Sequence, residues 1–344
     1  MNITIRRIAD HTGLSTATIS RILSGKGAHK PETIARVKRV VESLSSRGAA
    51  GTDRECIGIV LLSYPRFLCP VYTHSMVSAI LEVTAEEHMV TQIIPVDGTP
   101  LTLEDAELLV DKFDLRGLLI QELGTLDRVT GQLDKLPVPV VRVGDVRNGT
   151  GRYIVHCDNR QIGVNAAVYL WDLGFRDFGI IYGGGGDYGQ EQRMTGFIEQ
   201  LRRFGGEPDR IWINPVPHVT RENAITAHVD FMKLDPRPHA LFFALGGLTR
   251  MFLHQVQRSN VTVPQELFIL AVEDAEELSE AELPIATISF PSRELGTAAA
   301  SLLVDLIRHC DRRIESERRL ACDPRVRVSP ACLAFLTNPC NKNR

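Results

Sequence analysis

A short polar segment near the amino terminus has the residue types that hydrogen-bond to nucleic acid. Hydroxyl, small and guanidinium side chains lie close together in it: Ser15, Thr16, Ala17, Thr18, Ser20 and Arg21. Such side chains pair with phosphate oxygens and with base edges in the major groove. Because a serine at Ser15 accepts hydrogen bonds from backbone N–H groups two or three residues on, the segment predicts a helix that begins there.

The neighbouring residues predict that this helix is the second of a helix-turn-helix. Ile5–Thr12 carries apolar residues at helical spacing, and Gly13-Leu14 provides a turn in which glycine allows a positive φ. A third helix begins at Pro31, and its apolar stripe reaches Leu44. A helix-turn-helix places its second helix against DNA bases. The alternative is an ordinary three-helix bundle that binds nothing.

The distribution of charge favours DNA. The first fifty residues carry nine basic and three acidic side chains, a net charge of +6, whereas the whole chain of 344 residues has a net charge of −3. A small basic unit on an acidic body is typical of a protein that binds a polyanion with one end.

From about Ile57 the pattern changes to short apolar runs that alternate with amphipathic stretches. Strands are predicted at Ile57–Leu62, Thr91–Val96, Gly117–Gln121, Val138–Val143, Tyr153–His156, Phe178–Tyr182, Ile211–Asn214, Leu241–Leu245, Leu267–Val272 and Thr287–Phe290. Helices are predicted at Ser75–Glu87, Leu103–Phe113, Arg160–Leu173, Gln192–Phe204, Arg221–Leu234, Gly247–Arg258 and Ser292–Arg308. This alternation predicts two parallel sheets covered by helices, with a ligand crevice at the carboxyl ends of the strands.

Other classes of protein find little support. The seven cysteines are scattered without a CxxC pair, which favours reduced thiols rather than a metal site or a disulfide framework. Hydrolase and metalloprotease motifs are missing from the sequence, so we expect neither an enzyme nor a cofactor. With no apolar run of membrane-spanning length and no signal peptide before the first helix, a cytoplasmic location is expected.

Several motifs, taken in order, resemble the LacI/GalR family of bacterial transcription regulators over essentially the whole chain. They are Thr4-Ile5 through Leu23-Ser24-Gly25, Val138-Pro139-Val140-Val141, Asp158-Asn159 with Gly163, Leu173-Gly174-Phe175, Ile180-Ile181-Tyr182-Gly183-Gly184, Arg193 with Gly196-Phe197, Val263-Pro264, and Leu295-Gly296. The resemblance implies an all-α helix-turn-helix headpiece plus an α/β body of two Rossmann-like lobes, periplasmic-binding-protein-like of type I. The predicted boundaries are 1–46 for the headpiece, 47–56 for a short linker or degenerate hinge, 57–337 for the effector-binding and dimerisation body, and 338–344 for a disordered tail.

The resemblance also implies partners. A homodimer, possibly a tetramer, binds a palindromic double-stranded operator, with Thr16, Ala17 and Arg21 at base edges and Thr18 and Ser20 at phosphates. A small effector binds between the lobes and controls DNA binding; it is expected to be a sugar, a sugar acid or a sugar phosphate. The resemblance also implies that the protein is a repressor.

Four residues match effector-binding positions of the family. Arg193 stands where an effector-binding arginine is usual, and Glu273 matches the acidic residue that faces it. Tyr72 matches an aromatic residue of the first lobe, and Asp158 matches the aspartate that opens the second lobe. For each of the four, a structural salt bridge or core contact is the competing interpretation. The glycines from Gly183 lead to no Lys-Ser/Thr pair, so they predict a mobile loop rather than a phosphate cradle.

The chain also departs from the family. Ser45 to Cys56 is a short connection with two alanines, two glycines and no Leu, Ile, Met or Phe, which disfavours a DNA-kinking hinge helix. We therefore expect less operator bending than in typical relatives. Leu245-Gly246 replaces an Asn-Asp pair, and Ala271-Val272 precedes Glu273 where Gly-aromatic is usual. Gly144-Asp145 stands where Asp-Arg is common.

These departures leave two alternatives open. One is a regulator with a degenerate pocket that answers to a protein partner. The other is a cytoplasmic sugar-binding protein with a vestigial headpiece.

Overall fold

The structure is a computed structural model that describes most of the chain. The described residues are 5–27, 29–46, 55–62, 70–96, 101–121, 130–144, 152–184, 188–205, 211–272, 284–309, 317–320 and 326–338. The predictions for the linker at 47–54 and for the tail beyond Asn338 lie outside these residues.

Three helices form the headpiece: α1 (Ile5–Thr12), α2 (Thr16–Leu23) and α3 (Pro31–Ser46). Their core is small and apolar, with Ile8, Ile19 and Val37 fully buried between the helices. Gly13 lies between α1 and α2 with φ +65°, the left-handed conformation that glycine adopts without strain. The three helices predicted from the sequence are confirmed.

The remaining residues form twelve strands and nine helices among the described residues. The strands are β1 (Cys56–Leu62), β2 (Val90–Val96), β3 (Leu115–Gln121), β4 (Val140–Val143), β5 (Ile154–Cys157), β6 (Phe178–Gly183), β7 (Trp212–Val216), β8 (Ala240–Phe243), β9 (Phe268–Val272), β10 (Ala286–Ile288), β11 (Glu317–Leu320) and β12 (Val326–Val328). The helices are α4 (Pro70–Glu86), α5 (Leu103–Phe113), α6 (Thr130–Leu133), α7 (Asn159–Asp172), α8 (Tyr188–Arg203), α9 (Arg221–Met232), α10 (Gly246–Val256), α11 (Ser292–Arg308) and α12 (Pro330–Thr337). No described helix is long and apolar enough to span a membrane.

The strands form two six-stranded sheets, one in each lobe. The N-terminal lobe has the order β11-β5-β4-β3-β1-β2, and its described strand pairs are parallel. The C-terminal lobe has the order β12-β10-β9-β8-β6-β7, in which β12 runs antiparallel to β10. The two-lobed α/β fold expected from the sequence is confirmed.

The chain passes between the lobes three times, after β5, after β10 and after β11. The first two passages leave the carboxyl ends of β5 and β10, so the carboxyl edges of both sheets lie next to the connections between the lobes. Phe290, on the second passage, packs against the cores of both lobes. A ligand bound at these edges would therefore lie next to the connections between the lobes, about which the lobes would move.

The observed ends of the predicted strands differ from the predicted ends by at most two residues, and two strands, β11 and β12, were not predicted. Glu317-Arg318-Arg319-Leu320 forms β11, although only one of its four residues is apolar. It pairs with β5 at the end of the sheet, where an edge strand can carry charged residues. β12 is a three-residue edge strand, too short to show a period of two.

Glycines allow two pairs of helices to pack closely. α7 crosses α8 at Gly163 and Gly196, where a Cβ on either residue would collide with a backbone carbonyl of the other helix. An ion pair between Arg160 and Glu199 lies beside this crossing. In the other lobe, a Cβ at Gly296 of α11 would collide with the carbonyl of Met76 on α4. The glycine of the Arg-x-x-Gly-Phe motif, Gly196, therefore serves the packing of α8 against α7.

We expect Gly196→Ala to lower the free energy of unfolding by about 1–3 kcal/mol, because the added methyl group meets a rigid backbone rather than a flexible side chain. Urea denaturation followed by circular dichroism measures this change. The control is Arg202→Ala on the exposed face of the same helix, which should leave stability nearly unchanged. Equal stabilities of Gly196→Ala and wild type would contradict the packing argument.

Candidate functional site

The first candidate site is the exposed face of α2. Ser15 caps the helix: its hydroxyl accepts from the backbone N–H of Thr18 at 3.2 Å and lies 2.8 Å from the Thr18 hydroxyl. Ile19 turns inward and is fully buried. This cap and this anchor fix both the start of the helix and its rotation about its axis.

The same rotation turns the predicted DNA-binding residues outward. Thr16, Ala17, Ser20 and Arg21 are exposed, and Thr18 is partly buried beside the cap. Arg21 is the longest donor on this face and lies in the last turn of α2. The face is short, polar and basic, which suits contact with a DNA groove.

The second candidate site lies where the chain passes between the lobes, around Arg193 on α8. Its Nε donates to Oδ1 of Asn159 at 2.6 Å, and its Nη1 donates to the carbonyl of Ala244 at 2.7 Å. The guanidinium also lies over the ring of Phe290, 4.8 Å from the centroid. Arg193 therefore joins the first passage, the end of β8 and the second passage, which are far apart in sequence.

The other three predicted effector residues have different outcomes. Asp158 is the N-cap of α7 and accepts from the backbone N–H of Gln161 at 3.0 Å, so a capping role is documented for it. Tyr72 lies in the first turn of α4, but its side chain is outside the description. Glu273 lies outside the described residues. Ligand binding by all four residues stays a prediction.

Sequence reasoning missed a set of buried polar atoms at the carboxyl edges of the sheets. Their side chains are at most 5 % exposed and make no hydrogen bond in the part of the chain that the structure describes. They are the hydroxyls of Thr73, Thr249 and Ser292 and the amide nitrogen of Gln121. No motif in the sequence marks these residues, because the residue type alone does not show whether a polar side chain is buried or whether it has a hydrogen-bond partner.

Each of these four residues stands next to a strand end or a helix start. Gln121 ends β3, and Thr73, Thr249 and Ser292 lie in the first turns of α4, α10 and α11. Leu245 occupies the N-cap of α10 and gives that helix no side-chain hydrogen bond. Ligands of open α/β sheets bind at this edge, and uncapped helix N–H groups favour ligands with acceptor oxygens.

The glycines that follow β6 pack against protein. The side chain of Gln190 accepts a hydrogen bond from the backbone N–H of Gly183, and a Cβ on Gly183 would collide with that side chain. Gly184 would similarly meet Pro215. These two glycines make room for neighbouring residues, and residues 185–187, where the mobile loop was predicted, lie outside the description.

A three-helix DNA-reading unit joined to a two-lobed α/β body defines a class of transcription regulator with a ligand-binding core. Comparisons with known proteins agree. Residues 167–329 match the family described as "Periplasmic binding protein-like domain". The chain is 26 % identical over 310 residues to the HTH-type transcriptional repressor CytR of Escherichia coli strain K12, covering 88 % of this chain and 89 % of that protein.

Solved structures show the same fold. A transcriptional regulator CelR–cellobiose complex superimposes with a TM-score of 0.68 at 21 % identity, covering 95 % of this chain and 99 % of the other. The lac repressor dimer bound to operator and the anti-inducer ONPF gives a TM-score of 0.64 at 17 % identity, with 96 % and 98 % covered.

The resemblance predicted from the sequence is confirmed: the chain is similar over most of its length to transcription regulators of the LacI family. Its relatives are named as regulators rather than as enzymes. Within the described residues, no group of three or more His, Cys, Asp and Glu side chains could hold a metal ion.

Proposed function

We propose that the protein is a repressor that binds a palindromic operator as a homodimer through α2. A sugar, sugar acid or sugar phosphate, bound between the lobes, changes its affinity for DNA. The observation that carries the proposal is the division of α2 into an inward apolar residue, Ile19, and an outward polar face that ends in Arg21. A complete headpiece core and a formed N-cap argue against a vestigial headpiece.

Arg21 should make the strongest direct base contact, because its fork can donate two hydrogen bonds to guanine. We expect Arg21→Ala to weaken operator binding by about 1–3 kcal/mol and to relax the preference at one base pair in each half-site. Fluorescence anisotropy with a selected operator and with random DNA measures both effects.

The matched control is Lys38→Ala, which removes one exposed positive charge from α3 instead. It should weaken binding to operator and to random DNA alike. An Arg21→Ala variant that loses as much affinity for random DNA as for operator would assign Arg21 to phosphate contact only.

The effector proposal rests on the buried polar atoms at the two carboxyl edges. A buried donor or acceptor without a partner costs about 1–3 kcal/mol, and a ligand that supplies the partner recovers part of that cost. Thr73 and Gln121 offer such atoms from the N-terminal lobe, and Thr249 offers one from the C-terminal lobe. Arg193 donates to Asn159 and to the carbonyl of Ala244, which follows β8. We infer that these hydroxyl and amide groups, together with the Arg193 guanidinium, serve a hydroxyl-rich or anionic ligand.

We expect Gln121→Leu to weaken effector binding at least tenfold, because it removes the amide and keeps the volume. Thermal shift against cellobiose, D-ribose, gluconate and ribose 5-phosphate identifies a binding compound, and calorimetry with that compound measures the loss. Gln132→Leu, the same change at an exposed residue of α6, is the control. Failure of all four compounds to raise the melting temperature, or equal affinities of wild type and Gln121→Leu, would contradict the proposal.

The homodimer proposal rests on apolar side chains at one edge of each lobe. Val90 and Ile93 on edge strand β2, Ile213 on edge strand β7, and Ile225 and Val229 on α9 are 37–43 % exposed. Exposed apolar groups at unpaired edges mark surfaces that a partner covers.

A charge on this surface should separate the subunits. We expect Val229→Glu to weaken dimerisation at least tenfold, because the carboxylate would be buried without a partner. Sedimentation velocity across a dilution series measures the dissociation constant. The control is Leu333→Glu on α12, an apolar residue that is 54 % exposed away from these edges. Dissociation by the control and not by Val229→Glu would place the dimer interface elsewhere.

A further inference from the structure

The headpiece lies against the N-terminal lobe. α3 packs against α5, and His11 in the last turn of α1 lies beside Asp111 in the last turn of α5. Nδ1 of His11 is 3.8 Å from Oδ1 of Asp111, and the two side chains are 29 % and 42 % exposed. Two helices of the headpiece thus face one helix of the body.

The recognition face lies outside this contact. Thr16, Ala17, Ser20 and Arg21 of α2 remain exposed while α3 packs against α5 and His11 of α1 lies beside Asp111. The contact therefore holds the headpiece by its supporting helices and leaves the polar face of α2 in solvent.

Charge complementarity favours the contact. α5 carries four acidic residues and one basic residue, in the sequence LEDAELLVDKF. The first fifty residues, which include the headpiece, have a net charge of +6. Opposite charges on two tethered surfaces favour their association, and the same acidic helix repels the phosphates of DNA that approach the headpiece.

The connection between the two units is short. α3 ends at Ser46 and β1 begins at Cys56, so nine residues join them. Fully extended, nine residues span at most about 30 Å. A short tether gives an effective concentration on the order of millimolar, so even a weak contact is substantially populated.

We propose that α5 is an intramolecular docking surface for the DNA-binding headpiece, and that docking lowers affinity for the operator. In the protein without DNA, α1 and α3 lie on α5, and Asp111 faces His11. Binding to an operator half-site requires the headpiece to leave α5 or to bring DNA close to its acidic side chains. The docking itself follows from the contacts above, and only its effect on affinity rests on the proposed DNA recognition by α2.

Asp111→Arg tests the docking in the full chain. The substitution places a positive charge in the last turn of α5, where the helix dipole tolerates it, and repels the basic headpiece. Amide NMR spectra of the ¹⁵N-labelled, DNA-free protein should show headpiece signals as broad as those of the body in the wild type. In Asp111→Arg, the headpiece signals should become narrow because it tumbles independently.

A charge swap separates the pairing from a general effect of charge. His11→Glu should also release the headpiece, and combining it with Asp111→Arg should restore the broad signals. The control is Glu86→Arg, an equal change of charge at an exposed residue of α4, the helix on the opposite face of the same sheet. It should leave the headpiece docked.

Affinity for DNA provides the second measurement. With a duplex selected from a random pool by the wild-type chain, Asp111→Arg should bind several-fold more tightly than Glu86→Arg, which accounts for charge alone. Narrow headpiece signals already present in the wild type, or broad signals retained in Asp111→Arg, would overturn the docking. If Asp111→Arg releases the headpiece but binds DNA no more tightly than Glu86→Arg, the proposed effect of docking on affinity is overturned. Failure to select any duplex would count against DNA recognition by α2 instead.

Discussion

The contacts of Arg193 join three segments at the connections between the two lobes, and the arrangement of the body depends on these connections. One guanidinium reaches Asn159 at the first passage between the lobes, Ala244 at the end of β8 and Phe290 at the second passage. Phe290 in turn packs against both hydrophobic cores. A displacement of one lobe relative to the other must therefore move Arg193 or its partners. A ligand that competed for the same guanidinium would act directly on the connections between the lobes.

Close helix packing complements these contacts within each lobe. Gly163 and Gly196 let α7 and α8 cross with their backbones near each other, and Gly296 does the same for α11 on α4. Ion pairs at the rims join Arg160 to Glu199 and Arg293 to Glu82. Because the crossings constrain backbones rather than side-chain identity, the fold is compatible with the 16–26 % identities seen among its relatives.

Local patterns in the sequence predicted the headpiece and most of the body. A cap at Ser15, a turn glycine at Gly13 and apolar residues at helical spacing are properties of neighbouring residues, so they can be recognised without a structure. Most strands of the parallel sheets were predicted because buried strands are continuous apolar runs. β11 was missed because its position at the sheet edge lets charged residues form a strand.

The candidate site around Arg193 could be predicted only in part. Arg193 was recognised from the motif around it, but its protein partners come from distant segments that no local pattern connects. Asp158 illustrates the competing interpretation, since it caps a helix. Gln121 and Thr249 became candidates only when the structure showed the Gln121 amide nitrogen and the Thr249 hydroxyl buried without hydrogen-bond partners among the described residues. Burial of this kind depends on the tertiary fold rather than on residue type.

The repeated passage of the chain between the lobes also determines the order in which the protein can form on the ribosome. α11 contributes Leu295, Ala299 and Leu303 to the core of the N-terminal lobe, and β11 completes its sheet. That lobe therefore cannot close until residue 320 has been synthesised. The headpiece is contiguous in residues 5–46, and the residues of its core all lie within that range. Since domains fold as units during synthesis, the DNA-reading unit is complete while both ligand-binding lobes are still unfinished.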